Sequence, residues 1–187
     1  MTKIAIITGS TRPNRLNRQV AEWVLERARG RGDGAEYELV DIAEQGLPLL
    51  DEPLPAGMQQ YQNEHTKAWA ATIAPFDGFV FVTPEYNHSV GPALANAIAY
   101  LNVEWNNKAA GIVAYGSAMG VRAVEHLRGI LSELQVAHVQ KQGMFSLFTD
   151  FTDMSEFTPT DRQAESVDPM LDQLQAWTRA MKTVREG

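Results

Sequence analysis

Lys3-Ile4-Ala5-Ile6-Ile7-Thr8-Gly9-Ser10-Thr11-Arg12-Pro13-Asn14-Arg15-Leu16-Asn17-Arg18, near the head of the chain, decides the fold. Lys3 to Thr8 is a short run of aliphatic residues and reads as a buried strand. Gly9 to Arg15 is polar, with a glycine and a proline, and reads as a loop. Leu16, Val20, Trp23 and Val24 then recur on one face of a helix. Strand, polar loop and helix in that order form one βα unit.

The same unit repeats outward from this stretch. Gly30 to Gly34 is a turn, and Glu36 to Asp41 is a second strand. Gly46, Pro48, Pro53 and Pro55 mark a long loop within residues 42–60. A helix is expected from Gln60 to Ala74, stopped by Pro75. Gly78 to Thr83 has the highest β-propensity in the chain, with Pro84 expected to end it. Pro92 suits the first position of the next helix. Lys108 to Tyr115 is a fourth strand, and Val121 to Leu134 carries a helical stripe. Val136 to Val139 begins a fifth strand, and Val167 to Val184 marks a last helix. Residues 143–160 read as irregular, either covering a sheet edge or touching a partner chain. Strict alternation of this kind predicts parallel strands with helices on both faces. The expected architecture is one α/β domain over residues 1–187, a three-layer sandwich. Its five-stranded parallel sheet has order 2-1-3-4-5.

Composition narrows the function. The chain has 187 residues, 44% of them apolar, enough for one core without staples. It has no cysteine, which excludes disulfides, thiolate metal sites and a cysteine nucleophile. The first apolar run is too short for a signal segment, and no later run reaches the ~18 residues needed to span a bilayer. A cytoplasmic protein without membrane contact is expected. The net charge of −7 argues against a nucleic-acid partner. Within that acidic background Arg12, Arg15 and Arg18 cluster beside the first strand, which suggests a small anionic ligand.

In an open parallel sheet ligands bind at the carboxyl ends of the strands, where strand order reverses. Three loops are therefore candidates. The first, Thr8 to Arg18, offers Gly9 for a tight turn with positive φ. It also offers hydroxyl and amide donors on Ser10, Thr11 and Asn17, the forks of Arg12 and Arg15, and a helix N-terminus. Together these make a phosphate cradle. The loop lacks both the G-x-G-x-x-G and the G-x-x-x-x-G-K-[ST] spacings. The second loop, Thr83 to Pro92, is shaped by two prolines, and Gly91 leaves room for a flat ligand beside Tyr86. The third, Tyr115 to Arg122, is built of small residues, with Ser117 able to donate to a ring heteroatom. His65, His88, His126 and His138 show no metal spacing, and there is no G-x-S-x-G elbow. No side chain is assigned as an essential acid or base.

Four markers together resemble the NADPH-dependent FMN reductase family of flavodoxin-like flavoproteins. They are Gly9-Ser10-Thr11-Arg12, Leu47-Pro48-Leu49-Leu50-Asp51, Pro84-Glu85-Tyr86-Asn87, and Tyr115-Gly116-Ser117 with Gly120-x-Arg122. The resemblance implies a flavodoxin-like fold that binds FMN and passes electrons from NAD(P)H to a small acceptor such as a quinone or free flavin. It implies that Ser10, Arg12, Arg15 and Asn17 hold the FMN phosphate. Pro84, Glu85, Tyr86 and Asn87 would border the isoalloxazine, largely through backbone atoms, and Gly116 and Ser117 would meet its pyrimidine side. It also implies a homodimer or homotetramer. Many members carry serine where this chain has Arg15, and Gly-Gly where it has Met119-Gly120. Two other readings stay open from the sequence: a non-catalytic FMN-binding electron carrier, and a flavin-free regulatory or interaction domain.

Overall fold

A computed structural model describes residues 1–187. Its elements in chain order are β1 (Thr2–Thr8), α1 (Asn17–Gly30), β2 (Ala35–Val40), α2 (Glu64–Ile73), β3 (Gly78–Tyr86), β4 (Ser89–Val90) and α3 (Pro92–Ala99). There follow β5 (Ala109–Gly116), α4 (Val121–Glu133), β6 (Ala137–His138), β7 (Gly143–Ser146), β8 (Phe151–Thr152), β9 (Glu156–Phe157) and α5 (Asp161–Glu186).

The main sheet runs β2-β1-β3-β5, with β6 and β7 both parallel to β5 on its outer side. The fifth strand of the expected 2-1-3-4-5 order is thus present in two pieces. Successive side chains of a strand face opposite ways, so each strand feeds two cores. Ile4 and Ile6 point to the layer of α1 and α5, among Val20, Val24, Val167 and Leu171. Ala5 and Ile7 point to the layer of α2, α3 and α4, among Trp69, Leu94, Ile98 and Leu127. Both layers bury large side chains completely, at roughly 1.5–3 kcal/mol per side chain removed from water.

Two expectations are corrected. Pro84 does not end β3. It pairs with Tyr115 of β5, and the strand continues to Tyr86. On the other flank β1 stops at Thr8, opposite Val82, so no strand needs the N–H that proline lacks. Residues 143–160 are not irregular throughout. They hold β7 and the β8–β9 hairpin, whose Phe151 and Phe157 pack with Phe145 and Trp23 over α1. The helix expected from Gln60 begins at Glu64. No helix is long and apolar enough to cross a membrane.

Candidate cofactor site

The registers Thr8↔Val82 and Val82↔Val113 put the carboxyl ends of β1, β3 and β5 at one edge of the sheet, with β3 and β5 running a few residues past the end of β1. The first loop is pinned at both ends by Asn17. Its buried amide oxygen accepts from the Gly9 N–H at 2.7 Å, and its nitrogen donates to the Val82 carbonyl at 2.9 Å. Gly9 does not adopt positive φ. It is glycine because a Cβ there would lie 2.6 Å from the Val82 carbonyl oxygen. Gly91 serves the same contact from the other side, since its Cβ would lie 3.0 Å from the Gly9 carbonyl oxygen. The space expected for a flat ligand beside Gly91 is therefore occupied by the first loop.

Between Ser10 and Gln19 the only backbone N–H that reaches a protein acceptor is that of Arg12, 3.4 Å from Ser10 Oγ. Helix α1 has no side-chain cap and no acidic residue in its first turn. The loop and the positive end of the helix dipole thus present a run of unmatched donors. Such a donor set fits a phosphate, and the residues present fit FMN on that ground.

The four expected phosphate ligands do not stand alike. The guanidinium of Arg12 has no polar partner and lies over the Tyr86 ring, 5.5 Å from its centroid. Ser10 is buried, with its hydroxyl 3.0 Å from that of Tyr86. Asn17 is engaged with backbone, as described. Arg15 donates to the carboxylate of Asp41, which the sequence marks only as the end of a strand. Asp41 also accepts from Arg18 Nη1 at 2.8 Å, the Thr8 hydroxyl at 2.7 Å and the Ala43 N–H at 3.0 Å. Burial opposes its charge, but these donors outweigh it and hold the carboxyl below the ordinary carboxylate range. An acid at the carboxyl end of the strand beside the arginine loop was the available signal.

In the second loop, Tyr86 and Ser89 close a two-residue hairpin in which Asn87 and His88 both have positive φ. Asparagine suits that turn and histidine tolerates it less well. Glu85 turns away from the edge. Its carboxylate accepts from the Arg122 side chain and from the Arg122 N–H at 3.1 Å, capping the start of α4. Burial again opposes the charge, and the bonds from Arg122 keep the carboxyl low. Pro84 lies within β3, and Asn87 opens the turn that follows Tyr86.

The third loop turns through Met119 and Gly120, both at positive φ. A Cβ on Gly120 would lie 2.5 Å from that of Ala114. The Ser117 side chain is exposed, as is Thr11 across the edge. A fourth loop joins them: the Leu147 N–H donates to the Gly116 carbonyl at 3.1 Å, and the neighbouring Phe148 is 64% exposed. Sequence pattern did not separate this loop from the irregular stretch around it.

Beside the first loop a groove of about 330 Å³ is lined by Thr11, Ile42, Pro48, Pro92 and Asn96, among others. The largest cavity, about 790 Å³, lies elsewhere, at the outer sheet edge by Arg128, His138 and Trp177. We place the site at the loops, because the unmatched donors are there. His88 and His126 are neighbours, with ring centroids 6.3 Å apart, and no three acidic or histidine side chains converge as a metal site.

Residues 2–150 match the family model for NADPH-dependent FMN reductases. An NAD(P)H-dependent FMN reductase of Schizosaccharomyces pombe is 44% identical over 134 residues, 69% of this chain and 66% of the relative. A quinone reductase of Pseudomonas putida is 29% identical over 97% of both chains. The matches span just under two thirds of the first fungal relatives, 64% and 66% of their lengths. Among solved structures, the flavoenzyme NAD(P)H:(acceptor) oxidoreductase of Paracoccus denitrificans superposes with a TM-score of 0.74. It covers 97% of this chain and 99% of that one at 19% identity, a likeness of fold.

Proposed function

Because this chain belongs to the NADPH-dependent FMN reductase family, we propose that it binds FMN and uses it to pass electrons from NAD(P)H to a small acceptor, a quinone or a free flavin. The observation that carries this reading is the first loop, with its unmatched backbone donors and the unpartnered guanidinium of Arg12. A terminal phosphate monoester supplies the acceptors that this loop lacks.

Arg12 and Ser10 would hold the phosphate, with Asn17 fixing the loop that presents them. The backbone of Pro84, Glu85, Tyr86 and Asn87 would border the ring, and Gly116 and Ser117 its pyrimidine side. Bound FMN supplies two-electron redox chemistry that no side chain of this protein has. The protein binds and orients it, and backbone donors at the edge favour a ring that gains negative charge. No side chain is asked to act as acid or base. Relatives named for quinone reduction support a quinone as acceptor.

We infer assembly into a homodimer or larger oligomer. Leu49 is 84% exposed, yet it is held rigidly on its loop. Asn96 bonds the Pro48 carbonyl and the Leu50 N–H, and the Tyr100 hydroxyl donates to the Leu49 carbonyl. A fixed, exposed leucine suits a protein contact.

The test is spectroscopic. Purified protein mixed with FMN is expected to retain flavin absorbance through gel filtration, to lose it on addition of NADPH, and to regain it with benzoquinone. Protein that elutes free of flavin would sink the proposal.

A further inference from the structure

We propose that Asp41 is a positioning residue that withholds Arg15 and Arg18 from the cofactor, leaving Arg12 as the one side-chain cation that grips the phosphate; this rests on the FMN reading above.

Charge around the first loop is divided unevenly. Arg18 is bonded to Asp41, Glu22 and Glu44 at 2.8, 2.7 and 3.0 Å. Arg15 is bonded to Asp41. Two positive charges thus face three negative ones. The remaining cation of the loop, Arg12, has no acidic partner and no hydrogen bond from its guanidinium.

Geometry keeps this division in place. The Asp41 side chain is 2% exposed and sits between the ends of β1 and β2. It takes up donors from Thr8 and from Ala43 besides the two arginines. Removing a guanidinium from such a carboxylate leaves a buried charge without its partner, which is costly. Arg15 Nη2 is bonded to Asp41, its Nε is sealed from solvent, and the side chain as a whole is 19% exposed. A phosphate arriving from outside does not reach Nε, and Nη2 is turned to Asp41. Arg12 lies at the surface with its fork unengaged.

The partition makes the three residues respond differently. Losing Arg12 removes the grip. Losing Arg15 weakens the brace behind the loop and touches the phosphate little. Neutralising Asp41 releases Arg15 and makes the local charge more positive, which favours a phosphate and makes binding more sensitive to salt.

The experiment is flavin-fluorescence titration of the apoprotein with FMN and with riboflavin, at low and high ionic strength. Arg12→Ala is expected to raise the FMN dissociation constant by about tenfold or more, closing most of the gap between FMN and riboflavin. Arg15→Ala is expected to change FMN affinity by less than about threefold while lowering the melting temperature. Asp41→Asn is expected to tighten FMN severalfold with a steeper salt dependence and unchanged riboflavin affinity. An Arg15→Ala loss equal to that of Arg12→Ala overturns the inference. So does an Asp41→Asn variant that binds FMN more weakly than the parent. Should Asp41→Asn fail to fold, the two arginine variants decide alone. Wild-type protein that binds no FMN would instead refute the flavin reading itself.

Discussion

The hydroxyl oxygens of Tyr86 and Ser10 lie 3.0 Å apart, joining the loop after β3 to the loop after β1. The two residues are 76 positions apart in the chain, and their bond adds to the one from Asn17 to the Val82 carbonyl of β3. A single partly buried hydrogen bond of this kind contributes on the order of 1 kcal/mol. Tyr86→Phe and Ser10→Ala should each lower apoprotein stability by about that amount in urea. The double variant should cost less than the two losses combined, because both remove one bond. Full additivity would show that the hydroxyls do not interact.

Gly120 and Gly129 sit nine residues apart and should answer alanine in opposite ways. Gly120 has φ +73, and its added Cβ would meet the Tyr115 nitrogen at 2.8 Å as well as Ala114. Gly129 lies in α4 with nothing within 4 Å of an added Cβ. Gly120→Ala is expected to cost about 2 kcal/mol or more. Gly129→Ala is expected to add about 0.5–1 kcal/mol through helix propensity. Denaturant midpoints for the pair check this directly.

Acid should weaken the fold through Asp41 and Glu85. Both carboxyls are held below their ordinary values of 3.8 and 4.5 in the folded protein. Their contribution is complete above those values and is lost as pH falls through the lowered folded ones. Glu85→Gln should be less stable than the parent at pH 7, because the Arg122 bond loses its charge. The difference should shrink as pH drops below about 4.5. A gap that stays constant from pH 7 to 3 would contradict the assignment.

At the opposite end of the sheet, Lys108 is buried and donates to the carbonyls of Ala74 at 3.0 Å and Ile73 at 3.3 Å, closing the end of α2. Burial pushes its ammonium down to about 8, from an ordinary 10.5. Between those values the unfolded chain holds more protons than the folded one, so stability rises with pH. The parent should gain roughly 1 kcal/mol from pH 8 to 9, below the range where the tyrosines titrate. Lys108→Met should lack that gain. Parallel stability curves for the two proteins over this range would rule it out.

Particular residues mark how far the sequence could be read. Ile4, Ala5, Ile6 and Ile7 are consecutive and apolar, and their neighbours in the chain are enough to identify a strand buried on both faces. The loops at Gly9, Pro84 and Gly116 were placed by the strands that precede them. Pro84 continues β3 because a proline ends a strand only when a neighbour needs its N–H, and that depends on where β1 stops. The fifth strand was half read because β6 and β7 pair with β5 about 30 residues earlier, across a break.

Strand and helix periodicity, βα alternation and the polar loops at strand ends were determined by the sequence alone, because each depends on residues a few positions apart. Which arginines of the first loop are paired with an acid was decided only by the tertiary structure. Arg15 and Arg18 meet Asp41 across 26 and 23 positions, and Arg12 does not. A side chain's charge is written in the chain, but its partner is set by the register of elements that pack side by side.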